Sequence, residues 1–272
     1  MSDTDSLNAY TPVEIARRVE AAGETKARMA LLPLAMLSVL AGAFIGLGAM
    51  LSVMVRADAS LGFAASTFLS GLVFSLGLLM VVVAGAELFT GNNLLVMAWA
   101  DGRISLAQVL RNWAVVCLGN LVGVTGLAWL VYASGHTDMN AGAVGQKVVQ
   151  IALGKQALPL WTAFWRGVLC NILVCMAVWM AMGGRSVMDK AMAVVFPVMA
   201  FVAAGFEHSI ANMYLMPLAM LLQSGGVLAD GPMVTLSGML GNLLPVIAGN
   251  LAGGAGLVGL VYWAIYLRQP RA

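Results

Sequence analysis

The chain has 272 residues, 61% hydrophobic and only 10% charged, with a net charge of +2 and a mean hydropathy of +0.92. A soluble domain carries about 25% charged residues, so the composition excludes that class and predicts an integral, multi-pass membrane protein. The small positive balance, with no basic run longer than Arg17-Arg18, excludes nucleic acid as a partner.

Residues 1–28 are polar and lack the apolar stretch of a cleavable signal peptide. Thr11-Pro12-Val13-Glu14 has capping-box spacing with proline at the first helical position. Val13, Ala16, Val19 and Ala22 follow at helical spacing, which predicts an amphipathic helix lying on the membrane surface or against another subunit.

Six predicted spans follow, at about 30–55, 61–100, 104–133, 157–182, 187–222 and 233–267. With the amino terminus inside, the inner segments hold Arg17, Arg18, Lys26, Arg28, Arg103, Arg185, Lys190, Arg268 and Arg271. The outer loops hold only Arg56, Lys147 and Lys155, which fits the positive-inside rule and places both termini in the cytoplasm. Arg111 and Arg166 fall within spans and read as interfacial or intersubunit groups. Cys117, Cys170 and Cys175 lie in apolar segments without metal or disulfide spacing, so they read as packing residues.

The second span is interrupted by GAELFTGNN at 85–93, and the fifth by GFEHSIANM at 205–213. A 40-residue helix would reach about 60 Å, twice the hydrocarbon thickness. A long helix, a non-helical loop around Gly85–Gly91 and a short second piece are therefore predicted, with a like break near Gly205. Irregular backbone at membrane depth is tolerated only where it is buried in protein or lines a cavity.

The two interruptions align. Glu87 precedes Asn92 by five residues, Glu207 precedes Asn212 by five, and the glutamates are offset by 120. Gly119-Asn120 and Gly249-Asn250 repeat at an offset of 130. Each unit has three spans, so the second copy crosses the membrane in the opposite sense, and a central site between the halves is expected. The predicted fold is thus all-α and transmembrane, a 3+3 inverted repeat in which helices two and five are broken. Residues 1–28 form a cytoplasmic amino-terminal segment, 29–133 the first repeat and 155–267 the second.

AELFTGN in the second span, RGVLCNILVCMAVW in the fourth, GFEHSIAN in the fifth and GNLLPVIAGNLAGG in the sixth resemble the formate/nitrite transporter family, over nearly the whole chain. The resemblance implies a homopentamer in the bacterial inner membrane, each protomer with its own pore and an aquaporin-like course of helices. It implies transport of small weak-acid anions: formate, nitrite, hydrosulfide, and in some members acetate or lactate. The stretch from Gly184 to Lys190, Phe206 before Glu207, and the ending VYWAIYLR look more like formate members, whereas Thr90-Gly91 is seen in nitrite-type ones. No enzymatic chemistry, metal or cofactor is implied.

His208 stands out, since ionisable side chains inside a membrane are functional hypotheses by default and imidazole changes charge near neutral pH. By itself it reads either as a neutral ring bonded at a helix break or as a pore residue. The resemblance assigns it to the pore, giving a proton or hydrogen bond to a passing anion, with Thr90 and Asn171 beside it. In the family pattern Phe74, Leu78, Leu88, Phe89 and Phe201 line the constrictions, and Lys155 attracts anions and polarises the centre. An isolated carboxylate in such surroundings would cost up to tens of kcal/mol, so passage near neutrality is expected. Glu87, Asn92, Glu207 and Asn212 read as structural groups that satisfy backbone freed by the breaks. An alternative of another class, the membrane anchor of a redox enzyme, needs two intramembrane histidines for a bis-histidine haem. This chain has His208 there, while His136 falls in a loop.

Overall fold

The computed structural model describes residues 9–268; Arg271, counted above among the inner charges, and residues 1–8 of the amino-terminal segment lie outside that range. Helix α1 (Pro12–Ala27) opens on the capping box, with Thr11 Oγ1 accepting from the Glu14 amide and Glu14 Oε2 accepting from the Thr11 amide at 2.7 Å. Its apolar stripe is covered by the chain itself: Ile15, Ala16 and Val19 pack on Leu94, Met97, Trp179 and Val258. Val13, at the edge of the predicted stripe, stays 40% exposed.

The polar side of α1 carries a buried acid. Glu20 is 2% exposed, with Arg103 Nε 2.9 Å from its Oε1 and Asp101 nearby. Burial, and then the hydrogen bond to Asp101, push its carboxyl up to about 7 from 4.5. For an acid raised on folding, the proton-bound folded state is favoured. That stability is complete below the ordinary carboxylate range and is lost as pH rises through about 7. Glu20→Gln should therefore exceed the native protein in stability by about 1–3 kcal/mol at pH 8 and nearly match it at pH 5. Thermal melts in one detergent at the two pH values measure the difference.

Among the described residues five elements are long and apolar enough to cross a membrane: Leu31–Arg56 (α2), Phe63–Gly85, Leu106–Ala133 (α5), Leu160–Gly183 (α7) and Leu236–Tyr266. Phe63–Gly85 is α3 (Phe63–Met80) ending in a π turn over Val81–Gly85. After an extended Ala86, a 3₁₀ turn (Gly91–Leu95) leads into the short α4 (Val96–Ala100). The predicted fifth span is two pieces, α8 (Val187–Ala203) and α9 (Ser209–Ser224), of 17 and 16 residues. Gly85 at φ +82° and Gly205 at φ +69° turn the chain at the two breaks, in a region that glycine enters without steric cost.

Residues 134–156, read from sequence as an outer loop, instead contain α6 (Ala143–Gln156). Val144, Val148, Val149 and Ala152 recur at helical spacing and are buried. The last span is α10 (Leu236–Leu251), a π stretch over Ala252–Leu260 and α11 (Val261–Tyr266).

Close backbone crossings pin the long helices. A Cβ on Gly123 of α5 would run into the Val39 carbonyl of α2, and one on Gly253 into the Val168 carbonyl of α7. Leu118, Val122 and Leu244 remain well exposed on the outer faces of these helices. The two breaks lie inside this shell.

Candidate functional site

His208 ends the second break as the N-cap of α9, and the ring is held at both nitrogens. Its Nδ1 accepts from the Ala211 amide at 3.2 Å, and its Nε2 lies 3.0 Å from Thr90 Oγ1 of the first break. An amide can only donate, so Nδ1 must be the acceptor and the ring hydrogen of a neutral imidazole sits on Nε2, directed at Thr90. Phe201 stacks on the imidazole at 5.8 Å and 18°, and Phe74 meets Phe201 edge-on at 5.6 Å. Phe74, Leu78, Leu88, Phe89 and Phe201 are all buried in one apolar cluster. A neutral donor pair thus sits against an apolar wall.

Asn171 lies beside this pair without touching the ring. Its Nδ2 shares two hydrogens among Asn93 Oδ1 (2.7 Å), the Asn250 carbonyl (2.7 Å) and, at 3.2 Å, the Thr90 carbonyl. It therefore ties the first break to α10 and fixes Thr90 through its backbone. Asn93, also fully buried, was missed from sequence because it stands next to the aligned Asn92.

Around each break runs the same polar network. Lys26 Nζ lies 3.0 Å from Glu87 Oε1, and Asn92 Nδ2 donates to Glu87 Oε2 (2.7 Å) and Asn112 Oδ1 (2.9 Å). Lys155 Nζ lies 2.9 Å from Glu207 Oε1, and Asn212 Nδ2 donates to Glu207 Oε2 (2.6 Å) and Asn242 Oδ1 (2.8 Å). The freed backbone is taken up by Asn120 and Asn250. Asn120 donates to the Ser38 and Glu87 carbonyls and accepts from the Phe89 amide. Asn250 donates to the Gly167 and Glu207 carbonyls and accepts from the Ser209 amide.

These contacts change three expectations. Glu87 and Glu207 are bonded by side chains of lysine and asparagine rather than by unpaired amides. Lys155, expected to attract anions, lies in the last turn of α6 and is paired with Glu207, its side chain 16% exposed. Lys26, tallied only as an inner charge, is its counterpart, at an offset of 129. Asn112 and Asn242 share the 130-residue offset of Asn120 and Asn250, and that repeat was the signal that could have found them.

Two cavities flank the wall. One, of about 350 Å³, is lined by Lys155, Glu207, His208, Phe74 and Phe201, and also by Arg56 and Arg166. Arg166, expected at an interface, is thus at a cavity wall. The other, of about 310 Å³, is lined by Lys26, Glu87, Leu78, Leu88 and Lys190. Each cavity carries a lysine–glutamate pair in its lining, and His208 and Leu88 occupy equivalent positions 120 residues apart.

The profile of the formate/nitrite transporter family matches residues 13–264. The chain belongs to the formate/nitrite transporter family. As a member it is 38% identical to the formate channel FocA of Escherichia coli K12, over 99% of each chain. It is 37% identical to a probable formate transporter of Methanothermobacter thermautotrophicus, covering 95% of this chain and 98% of that one. Among solved structures, a pentameric formate channel with formate bound superposes with a TM-score of 0.81 at 36% identity, covering 88% of this chain and 98% of that one. Family membership, the apolar spans and the cavities agree on a transport protein of the membrane, with channels and transporters as its relatives.

Proposed function

We propose that this chain is a channel for small monovalent weak-acid anions, formate first, assembled as a homopentamer with a pore in each protomer. Six crossings arranged as a 3+3 inverted repeat, with both termini cytoplasmic, are supported by the paired networks at offsets of 120 to 130 residues and by the charge distribution. Residues 29–133 and 155–267 are then the two halves. The observation that carries the proposal is the His208–Thr90 pair, at 3.0 Å, buried between two cavities that each hold a lysine.

The steps follow from the energetics. An anion is drawn into either cavity by its cation. Entry into the apolar region favours the neutral acid, because an unpaired carboxylate there is far costlier. The proton comes from water in the cavity. A neutral His208 with Nδ1 bonded to an amide has no spare acidic proton; it offers Nε2–H as a hydrogen bond in the wall. Thr90, which accepts from His208, keeps its own hydroxyl hydrogen to offer as a second donor. On the far side the acid ionises again and leaves.

The test is uptake into proteoliposomes under matched gradients of formate, nitrite, hydrosulfide and acetate. Fast saturable formate entry supports the proposal, preference for nitrite or hydrosulfide corrects the substrate, and no movement of any anion contradicts it. The redox-anchor alternative would show as a Soret band in the purified protein.

A further inference from the structure

The cavity on the Lys155 side holds more positive charge than its lysine–glutamate pair requires. Arg56, the last residue of α2, lines this cavity and is partly buried. Its Nε donates to Ser70 Oγ at 3.1 Å and one Nη2 hydrogen to the Val202 carbonyl at 3.1 Å, both neutral acceptors. Among the described residues no carboxylate pairs with it, and Glu207, the one acid lining the cavity, is held by Lys155. Guanidinium has five donors and stays charged, so three hydrogens remain, including a pair on the outer edge formed by Nη1 and Nη2. Arg166 lines the same cavity, so three cations face one carboxylate there.

A held guanidinium with a free edge in a partly apolar cavity matches a planar anion with two oxygens, which it can bind by two parallel hydrogen bonds. Ser70 and Val202 fix the plane of the fork, so little side-chain freedom is lost on binding. We propose that Arg56, assisted by Arg166, forms a separate binding subsite for small planar oxyanions in the Lys155-side cavity, loading carboxylate or nitrite before the wall is reached. The His208–Thr90 pair plays no part in it, and no equivalent arginine lines the Lys26-side cavity. The subsite therefore sets affinity from one face of the membrane and favours two-oxygen anions over hydrosulfide, which has no second acceptor atom to engage the fork.

The inference rests on the pore reading and is tested apart from it. Initial rates are measured in right-side-out and inverted vesicles for formate, nitrite and hydrosulfide, with native protein, Arg56→Gln and Arg56→Lys. In Arg56→Gln the amide nitrogen stands where Nε stood and can still donate to Ser70 Oγ, so that tie is kept while the charged fork is lost. The expected result is a KM for formate and nitrite raised about tenfold in one vesicle orientation only, with little change in maximal rate. Hydrosulfide should shift much less, and Arg56→Lys should restore only part of the formate affinity. An unchanged KM, an equal effect on hydrosulfide, or equal losses in both orientations with a lowered melting temperature would overturn the subsite. If native vesicles move no anion, it is the pore reading that fails instead.

Discussion

Phenylalanine at position 208 should lower formate flux by about thirty- to a hundredfold while leaving the protein folded. The replacement keeps the shape that stacks on Phe201 at 5.8 Å, so the apolar wall stays closed. What is lost is the Nε2–H aimed at Thr90 and the bond that Nδ1 accepts from the Ala211 amide. A polar passenger left without a partner in a buried apolar site loses about 2–3 kcal/mol, which sets the size of the flux effect. Losing the N-cap costs about 0.5–2 kcal/mol of stability, visible as a lowered melting temperature but too little to unfold a membrane bundle. His208→Asn separates the two roles. Asparagine is a good N-cap and carries a donor, so that variant should melt near the native protein and retain intermediate flux. Equal flux in native and His208→Phe proteoliposomes would remove His208 from the pathway.

The second large effect concerns the Lys155–Glu207 pair. Lys155→Met leaves a carboxylate 4% exposed, facing a cavity, with Asn212 as its remaining strong partner. Removing one member of a buried pair costs about 3–5 kcal/mol, chiefly from the charge left behind. The double variant Lys155→Met, Glu207→Gln no longer buries that charge and should recover most of the lost stability. A double-mutant cycle on melting temperature measures the coupling. Lys26→Met should cost a similar amount, since the abandoned Glu87, with its side chain 6% exposed, is nearly as buried as Glu207 at 4%. Formate flux should fall in Lys155→Met, because an uncompensated carboxylate then lines the path and repels the anion. Similar stability losses in single and double variants would contradict the pair's role.

Much of this arrangement was legible in the sequence, for reasons that can be stated. The span lengths follow from bilayer thickness, and a glutamate, threonine and two asparagines inside an apolar run mark a break because nothing else puts them there. The aligned Glu87–Asn92 and Glu207–Asn212 pairs gave the breaks their partners. The lysines were harder to place. Lys26 lies in a polar amino-terminal segment, and Lys155 follows a stretch too weakly apolar to announce α6, so neither shows from local pattern that it reaches a buried acid. Only the repeat offset, carried from the asparagines to the lysines, links them. Asn171 was expected beside His208, but its bonds go to the Thr90 and Asn250 carbonyls, a tertiary fact with no local signal. The split of the fifth span was expected near Gly205; that each piece falls short of a crossing length is what removes it from the set of long apolar helices.

The central claim is that formate passes the wall as the neutral acid, with its proton taken from water and not from His208. The most direct measurement is formate entry into proteoliposomes with a trapped pH dye, across a series of external pH values. The account predicts one proton carried in per formate, and an entry rate that rises as external pH falls, with no optimum marking titration of an imidazole. Formate entry without internal acidification, held up only by a compensating cation leak, would show the bare anion crossing and contradict it.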